Sequence, residues 1–365
     1  GDSTRCVHAG VPDAAPGQPL MPGPVFAAPY VLEPDGWQPG QEGYGRGDNP
    51  TRRVLEAALA ELEGGDTLAF ASGQAAVTAV LMTVLRPGDT LVIPSDGYYN
   101  VRTFAASVLA ELRITVVEAP TAGPYPSFDG VRLVLLESPA NPSLDVVDIA
   151  AVAASARAAG ALVAVDNTAA TPLGQRPLDL GADISVASGT KALTGHSDML
   201  LGYVSTRSAD LLAAMTSWRA LAGGIPSPFE AWLARRSLST LDLRLARQTA
   251  NAAALAEVLS THQLVRATRW PGRPDDPSYA VAARQMRRIP GIVGFELPTA
   301  EHVAAFLRAA RLVIAATSFG GVHTTADRRA QWGDRTAPGF VRLSCGIEDA
   351  ADLVADVRQA LDAAL

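Results

Sequence analysis

Residues 161–168 read Ala161-Leu162-Val163-Ala164-Val165-Asp166-Asn167-Thr168, an unbroken apolar run that ends in a carboxylate. A strand that is apolar at consecutive positions, rather than alternate ones, is buried on both faces, as in a parallel sheet covered by helices. The same grammar recurs on either side of it. Apolar runs at Leu68–Ala71, Leu91–Pro94, Val131–Leu136, Ile184–Ala187 and Leu201–Val204 alternate with Gly73–Leu85, Val101–Leu112 and Asp148–Ala159, each long enough for a crossover helix. That alternation predicts an α/β fold on a mainly parallel sheet. A helix is expected to start at Asn49-Pro50-Thr51, with proline in its first turn and Val54, Leu55, Ala58 and Leu62 at helical spacing.

The flanks have a different texture. Residues 1–48 are rich in Gly and Pro, yet they carry Phe26, Tyr30, Trp37 and Tyr44, more aromatic surface than a disordered tail usually holds. They read as an arm that packs on a neighbouring subunit. Past Gly223-Gly224-Ile225-Pro226 comes an Ala/Arg/Leu-rich helical stretch from Phe229 to about Leu259. Strands are expected at Gly291–Leu297 and Phe340–Ser344, and helices at 301–310 and 349–364. The expected organisation is an arm over 1–48, an α/β domain over 49–222 and a smaller α+β domain over 223–365.

Composition narrows the classes. At 365 residues the chain exceeds what one core normally serves, and 48% hydrophobic with 18% charged residues suits a globular protein. A net charge of −7 speaks against nucleic acid and gives no polybasic membrane patch. No apolar run reaches the roughly 18 residues of a membrane span, and no signal-peptide core opens the chain. Cys6 and Cys345 lie far apart without paired spacing, which argues against a disulfide scaffold or a zinc site and makes a cytoplasmic location the expectation.

Of the 30 Lys and Arg residues, Lys191 is the sole lysine. A coding bias toward arginine accounts for the rest, but a guanidinium cannot lose its proton and serve as an amine nucleophile. The neighbours of Lys191 give the exception meaning. Open α/β sheets bind ligands at the carboxyl ends of their strands, and the polar residues of this chain sit there. Ser72-Gly73-Gln74 opens a helix, whose free N–H groups suit an anion. Tyr98 follows Leu91–Pro94, Asn141 follows Val131–Leu136, Asp166 and Thr168 follow the quoted run, and Ser188-Gly189-Thr190-Lys191 follows Asp183–Ala187. Each has a plain alternative as cap or turn chemistry. Together they match the needs of pyridoxal 5′-phosphate (PLP): an amine for its aldehyde, a carboxylate for its ring nitrogen and a cup for its phosphate.

Tyr44-Gly45-Arg46, Asn49-Pro50-Thr51, Ser72-Gly73, Glu137-Ser138-Pro139-Ala140-Asn141-Pro142, Val165-Asp166-Asn167-Thr168, Ser188-Gly189-Thr190-Lys191 and Gly195-His196-Ser197-Asp198 resemble the signatures of the Cys/Met-metabolism PLP enzymes. That family includes cystathionine γ-synthase, cystathionine γ-lyase, cystathionine β-lyase and methionine γ-lyase, and the likeness runs essentially end to end. It implies the type I fold of PLP-dependent transferases, similar to aspartate aminotransferase. It also implies that Lys191 holds the cofactor, Asp166 pairs with the ring nitrogen, Tyr98 stacks on the ring and Asn141 lies near the ring hydroxyl. By the same likeness Ser72, Gly73, Gln74, Thr168, Ser188 and Thr190 complete the cofactor site. Tyr44 and Arg46 would reach the phosphate from a neighbouring subunit, in a dimer usually doubled into a tetramer. Arg342 and Ser318 would receive the substrate carboxylate. No metal is expected.

The implied activity is α,γ-elimination of a sulfur amino acid, with Lys191 moving the Cα proton and Tyr98, or Tyr44, managing the leaving thiolate. Thr317 stands where γ-lyases acting on cystathionine usually carry glutamate, and Asn100 falls in a stretch that departs from the family pattern after the stacking tyrosine; the resemblance puts both where the side chain of the substrate would lie. With one carboxylate fewer for a distal amine, the reading tilts from cystathionine toward methionine. γ-Replacement on an activated homoserine is the alternative, and a non-catalytic binding module stands behind it. His323 reads as a loop histidine before a proton donor, and His196 and Asp198 as loop structure. Trp332 reads equally as pocket lining or packing.

Overall fold

The computed structural model describes every residue except Ala14 and Pro39, so the arm expected over 1–48 is seen without those two positions. The apolar runs become β1 (Asp66–Phe70), β2 (Thr90–Pro94), β4 (Val131–Glu137), β5 (Leu162–Asp166), β6 (Ile184–Ser188) and β7 (Gly202–Thr206). A further strand, β3 (Thr115–Ala119), sits at the sheet edge with only Ala119 buried, so no long apolar run announces it. The order is β1-β7-β6-β5-β4-β2-β3, and only β7 runs antiparallel to its neighbours. The mainly parallel expectation holds.

The remaining strands, β8 (Ala267–Arg269), β9 (Ile292–Glu296), β10 (Ile314–Ala315), β11 (Thr325–Arg328) and β12 (Phe340–Ser344), form a second sheet in the order β10-β11-β12-β9-β8. The short outer strands were not legible as periodic runs. The helical stretch expected as one element is two, Pro228–Leu238 and Leu241–Thr261, interrupted at Ser239 and Thr240. Ala231, Ala234, Leu238, Leu241 and Leu245 share a core with Leu55, Leu59 and Leu62, while the core under the second sheet begins at Ala252. Within the arm, a helix at Asp2–His8 buries Cys6 in that first core. Farther along, Leu20, Phe26, Val31 and Trp37 are exposed.

Register decides where the polar residues land. β4 and β5 align Glu137 with Asp166, β5 and β6 align Asp166 with Val186, and β6 and β7 align Ser188 with Gly202. The strand ends therefore form one rim. Two glycines let the helix Gly73–Val84 close onto it. A Cβ at Gly73 would stand 2.6 Å from that of Ser188, and one at Gly202 would stand 2.0 Å from the Ser72 carbonyl. Any side chain there would lift the helix start off the rim.

Beneath the sheet, Glu63 is fully buried; it accepts the Tyr203 hydroxyl at 2.8 Å, and its second oxygen has no partner. Burial pushes its carboxyl up to about 7. A folded pKa above the unfolded value means that the stabilising contribution is complete below the unfolded value and is lost as pH rises through about 7. Glu63→Gln keeps a carbonyl for Tyr203 and has no charge to bury. It is expected to gain stability relative to wild type between about pH 5 and pH 8, by on the order of 1 kcal/mol per unit, in urea unfolding of the cofactor-free protein. A difference independent of pH would show that Glu63 folds ionised.

Candidate active site

The strand ends of the first sheet and the β11–β12 side of the second enclose a cavity of about 390 Å³. Lys191 enters it from the loop after β6, and its Nζ donates to Ser318 Oγ at 3.0 Å. That loop is held tightly. Ala192, Leu193 and Leu201 are buried in the first core, and the buried Arg244 donates to the carbonyls of Ala192 and Leu193 at 2.7 and 3.0 Å. Burial, together with the charges of Arg342 and Arg329, pushes the Lys191 ammonium down to about 8, against the pull of Asp166. The amine is thus far readier to release its proton than an ordinary lysine.

Asp166 ends β5 and lines the cavity. One oxygen accepts from both the N–H and the hydroxyl of Thr168, and Thr168 Oγ1 in turn accepts from Ser188 N–H at 2.8 Å. The other oxygen has no protein donor among the described residues. Burial raises the Asp166 carboxyl, whereas Thr168 and Lys191 lower it, with the rise prevailing. At the opposite edge Ser72 Oγ caps Ala75 N–H at 3.1 Å, and the N–H groups of Gly73 and Gln74 find no acceptor among the described residues. Ser188 stands beside them. The Thr190 hydroxyl, by contrast, is engaged with the backbone of Leu201, donating at 3.2 Å and accepting at 2.9 Å.

Arg342, 3% exposed, donates to Asn141 Oδ1 and to the Ser318 carbonyl, and its Nε has no partner. Burial and the neighbouring Arg329 both push its pKa down. A guanidinium keeps its proton, so this buried cation is suited to pairing with an anion. Ser318 has φ of 74°, a strained conformation that turns its hydroxyl to Lys191 and its carbonyl to Arg342. Its loop is held by Gln248, which donates to the carbonyls of Gly320 and Gly321. Phe319 lies between the two cations, 5.6 Å from Lys191 Nζ and 5.1 Å from the Arg342 guanidinium.

Tyr98 lines the cavity, and its hydroxyl accepts from the Asn100 amide at 2.8 Å. Burial raises the phenol, so it stays protonated at neutral pH. Asn100, expected at the substrate, is not among the cavity-lining residues and instead holds Tyr98. Thr317 lines the exposed rim. Tyr44 and Arg46 are not brought to this cavity by their own chain. Tyr44 is 55% exposed on a separate groove of the arm, and Arg46 donates to the Ala220 carbonyl at 2.8 Å. His323 is exposed and away from the cavity, and His196 contacts the Thr194 carbonyl. No metal-ligating group of side chains occurs among the described residues.

Sequence reasoning passed over Glu137. This buried carboxylate accepts Tyr98 N–H and Asn141 N–H, both at 2.7 Å, and so joins the loops after β2 and β4; burial and the nearby Asp166 push it up to about 8. Its signal was present, since it ends an apolar strand as Asp166 does. Arg244 and Gln248 carried no signal, because a polar residue within a long helix reads as surface.

The residues fit PLP. Free helix-start N–H groups suit a phosphate, the open oxygen of Asp166 suits a protonated ring nitrogen, and Arg342 awaits a carboxylate. Fold and cavity define a PLP-dependent enzyme that acts on a small amino acid. The chain belongs to the Cys/Met metabolism PLP-dependent enzyme family, which matches residues 4–362. It is 52% identical, over 99% of its length and 94% of the relative's, to a protein of Streptomyces coelicolor provisionally named cystathionine gamma-lyase. A solved cystathionine gamma synthase from Xanthomonas oryzae pv. oryzae superposes with a TM-score of 0.95 at 36% identity, covering 100% of this chain and 98% of that one. A methionine gamma lyase from Micromonospora echinospora gives 0.91 at 37%, covering 98% of each. The type I fold and the PLP dependence expected from the sequence both stand.

Borohydride reduction of the PLP-loaded protein is expected to fix the cofactor on the one peptide bearing Lys191, read by mass spectrometry. Recovery of the label on the amino terminus instead would remove Lys191 from the site.

Proposed function

We propose that the chain is a carbon–sulfur lyase that converts methionine, ahead of cystathionine, with water to 2-oxobutanoate, ammonia and a thiol. The observation that carries the substrate preference is the rim. Thr317, Leu200 and Trp332 line it, and the lining carboxylates, Asp166 and Glu137, both lie at strand ends on the cavity floor. A distal ammonium finds no counter-ion at such a rim. The name of the Streptomyces coelicolor relative supports a γ-lyase, and that of the Xanthomonas oryzae structure keeps γ-replacement as the competing outcome.

Bound PLP supplies the electron sink that lets a Cα–H bond of an amino acid ionise. Arg342 forks onto the substrate carboxylate with Ser318 beside it, which sets the Cα–H bond against Lys191. The Lys191 amine takes that proton, its lowered pKa leaving part of it neutral at working pH. Asp166, steadied by Thr168, would keep the proton on the ring nitrogen of bound PLP, and Ser72, Gly73, Gln74 and Ser188 would hold its phosphate. Asn141, which accepts from Arg342, would lie near the ring. Once the Lys191 amine has released the first proton it takes a second, from Cβ, whose electron pair breaks the Cγ–S bond, and Tyr98, its hydroxyl fixed by Asn100, gives its proton to the departing sulfur.

Keto-acid release from methionine, cystathionine and homocysteine, set against condensation of an acylated homoserine with cysteine, tests the reading. Lys191→Ala is expected to abolish turnover, and Tyr98→Phe to lower kcat by about 10²–10⁴-fold with KM little changed. Condensation without keto-acid release would move the chain to γ-replacement. Amino-acid binding with neither reaction would make it a binding module.

The same reading completes each site with Tyr44 and Arg46 of a second copy. Lys191→Ala and Arg46→Glu proteins, each inactive alone, should regain activity when mixed after partial dissociation, because a hybrid dimer holds one intact site. Mixtures that stay inactive while exchange is seen by labelled subunits would confine the site to one chain.

A further inference from the structure

The cavity wall next to Arg342 contains a set of side chains that the proposed reaction does not use. Asp327 on β11 is the register partner of Arg342 on β12, so the two side chains share a face of the sheet. They nonetheless stand 4.0 Å apart. Asp327 is drawn elsewhere: Oδ2 accepts from Arg329 Nη1 at 2.7 Å, and Oδ1 accepts from Gln331 at 2.8 Å and from the Trp332 indole N–H at 3.0 Å. Arg329 is occupied in turn, with Nε donating to Asp334 at 2.8 Å. Both Asp327 and Arg329 are buried.

Trp332 is the unusual member. It is 43% exposed, yet it lines the cavity and its indole nitrogen is tied to a buried carboxylate. An indole that exposed would exchange rotamers freely without such a bond, and hydrogen bonds to a charged acceptor are the strong ones. The ions beneath it are spent on one another, so a distal charge on a ligand meets no free partner there, whereas an apolar end meets an aromatic face. Building on the lyase reading above, we propose that Asp327 is a positioning residue that seats Trp332 as the specificity wall of the cavity, favouring amino acids with an apolar distal end.

Two ligands separate the wall from the chemistry. Norleucine and 2,7-diaminosuberate are methionine and cystathionine with the sulfur replaced by a methylene, so nothing can leave, and their binding to the PLP-loaded protein is read from the cofactor absorbance. Trp332→Ala is expected to weaken norleucine by roughly tenfold and diaminosuberate by about twofold or less, the scale of one lost apolar wall. Trp332→Phe keeps a ring but cannot donate to Asp327, and it should lose most of the preference. Asp327→Ala should lose it equally, and the double variant of Asp327→Ala with Trp332→Ala should be no worse than Trp332→Ala. Wild-type preference in Trp332→Ala or in Trp332→Phe overturns the proposal, and both variants leave Asp327 its bonds from Arg329 and Gln331. Keto-acid release by wild type is measured separately. Its absence alongside an intact norleucine preference would sink the lyase reading and uphold the wall.

Discussion

An amine held where its charge is unwelcome is the constraint on which the rest of this structure depends. Lys191 is buried beside Arg342 and Arg329, and Asp166 offsets them only in part, so its pKa falls to about 8. No arginine could respond to that environment by giving up a proton. In a chain that otherwise uses arginine for positive charge, this position alone needs the other residue. Holding the amine there takes a rigid mount. Arg244 binds the two carbonyls that follow it, and the strained Ser318 meets its nitrogen from the second sheet.

The two sheets divide the remaining work. The first offers strand ends in register, so that Glu137, Asp166 and Ser188 stand on one rim with Gly73 pressed against it. The second contributes Arg342 and the Ser318 loop. The lining sets Lys191, Arg329 and Arg342 against the two carboxylates Glu137 and Asp166; burial raises both carboxyls, and Asp166 adds to the rise at Glu137. An electropositive cavity with free N–H groups at one end and a guanidinium at the other is matched by a ligand pair with an anion at each end, a phosphate and a carboxylate.

What was legible in the sequence was whatever a local pattern encodes. The strand preceding Asp166 is apolar at every position and could be read at once, whereas β3 at the exposed edge could not, nor could the two-residue β10. Lys191, Asp166, Gly73 and Tyr98 were found because each follows a readable strand. Arg342 and Ser318 were reached only through resemblance, since nothing near them in the chain points across to the first sheet. Asn100 was placed at the substrate, but the structure turns its amide to the Tyr98 hydroxyl, a difference of side-chain direction that spacing does not contain. Asp327 and Arg329 sit in an Asp-Arg-Arg run to which no role was given, and tertiary pairing buries them.

That division also explains why relatives so alike carry names for different reactions. The groups proposed to bind cofactor and carboxylate and to move the Cα proton come from strand ends and a tightly pinned loop, and they would serve elimination and replacement equally. In both the group on Cγ leaves; in elimination water then releases the keto acid and ammonia at Cα, whereas in replacement a second amino acid adds at the vacated Cγ. Whatever arrives must pass Thr317, Leu200 and Trp332, which lie on connecting segments outside the strands of either sheet. Connecting segments change with little cost to a core, so a fold can exchange one rim for another while its floor stays fixed. In this chain the rim's aromatic member is tied back to the floor, because Asp327 holds Trp332 and stands opposite Arg342 in the same sheet. The proposed sites for the distal end and for the carboxylate thereby share one pair of strands.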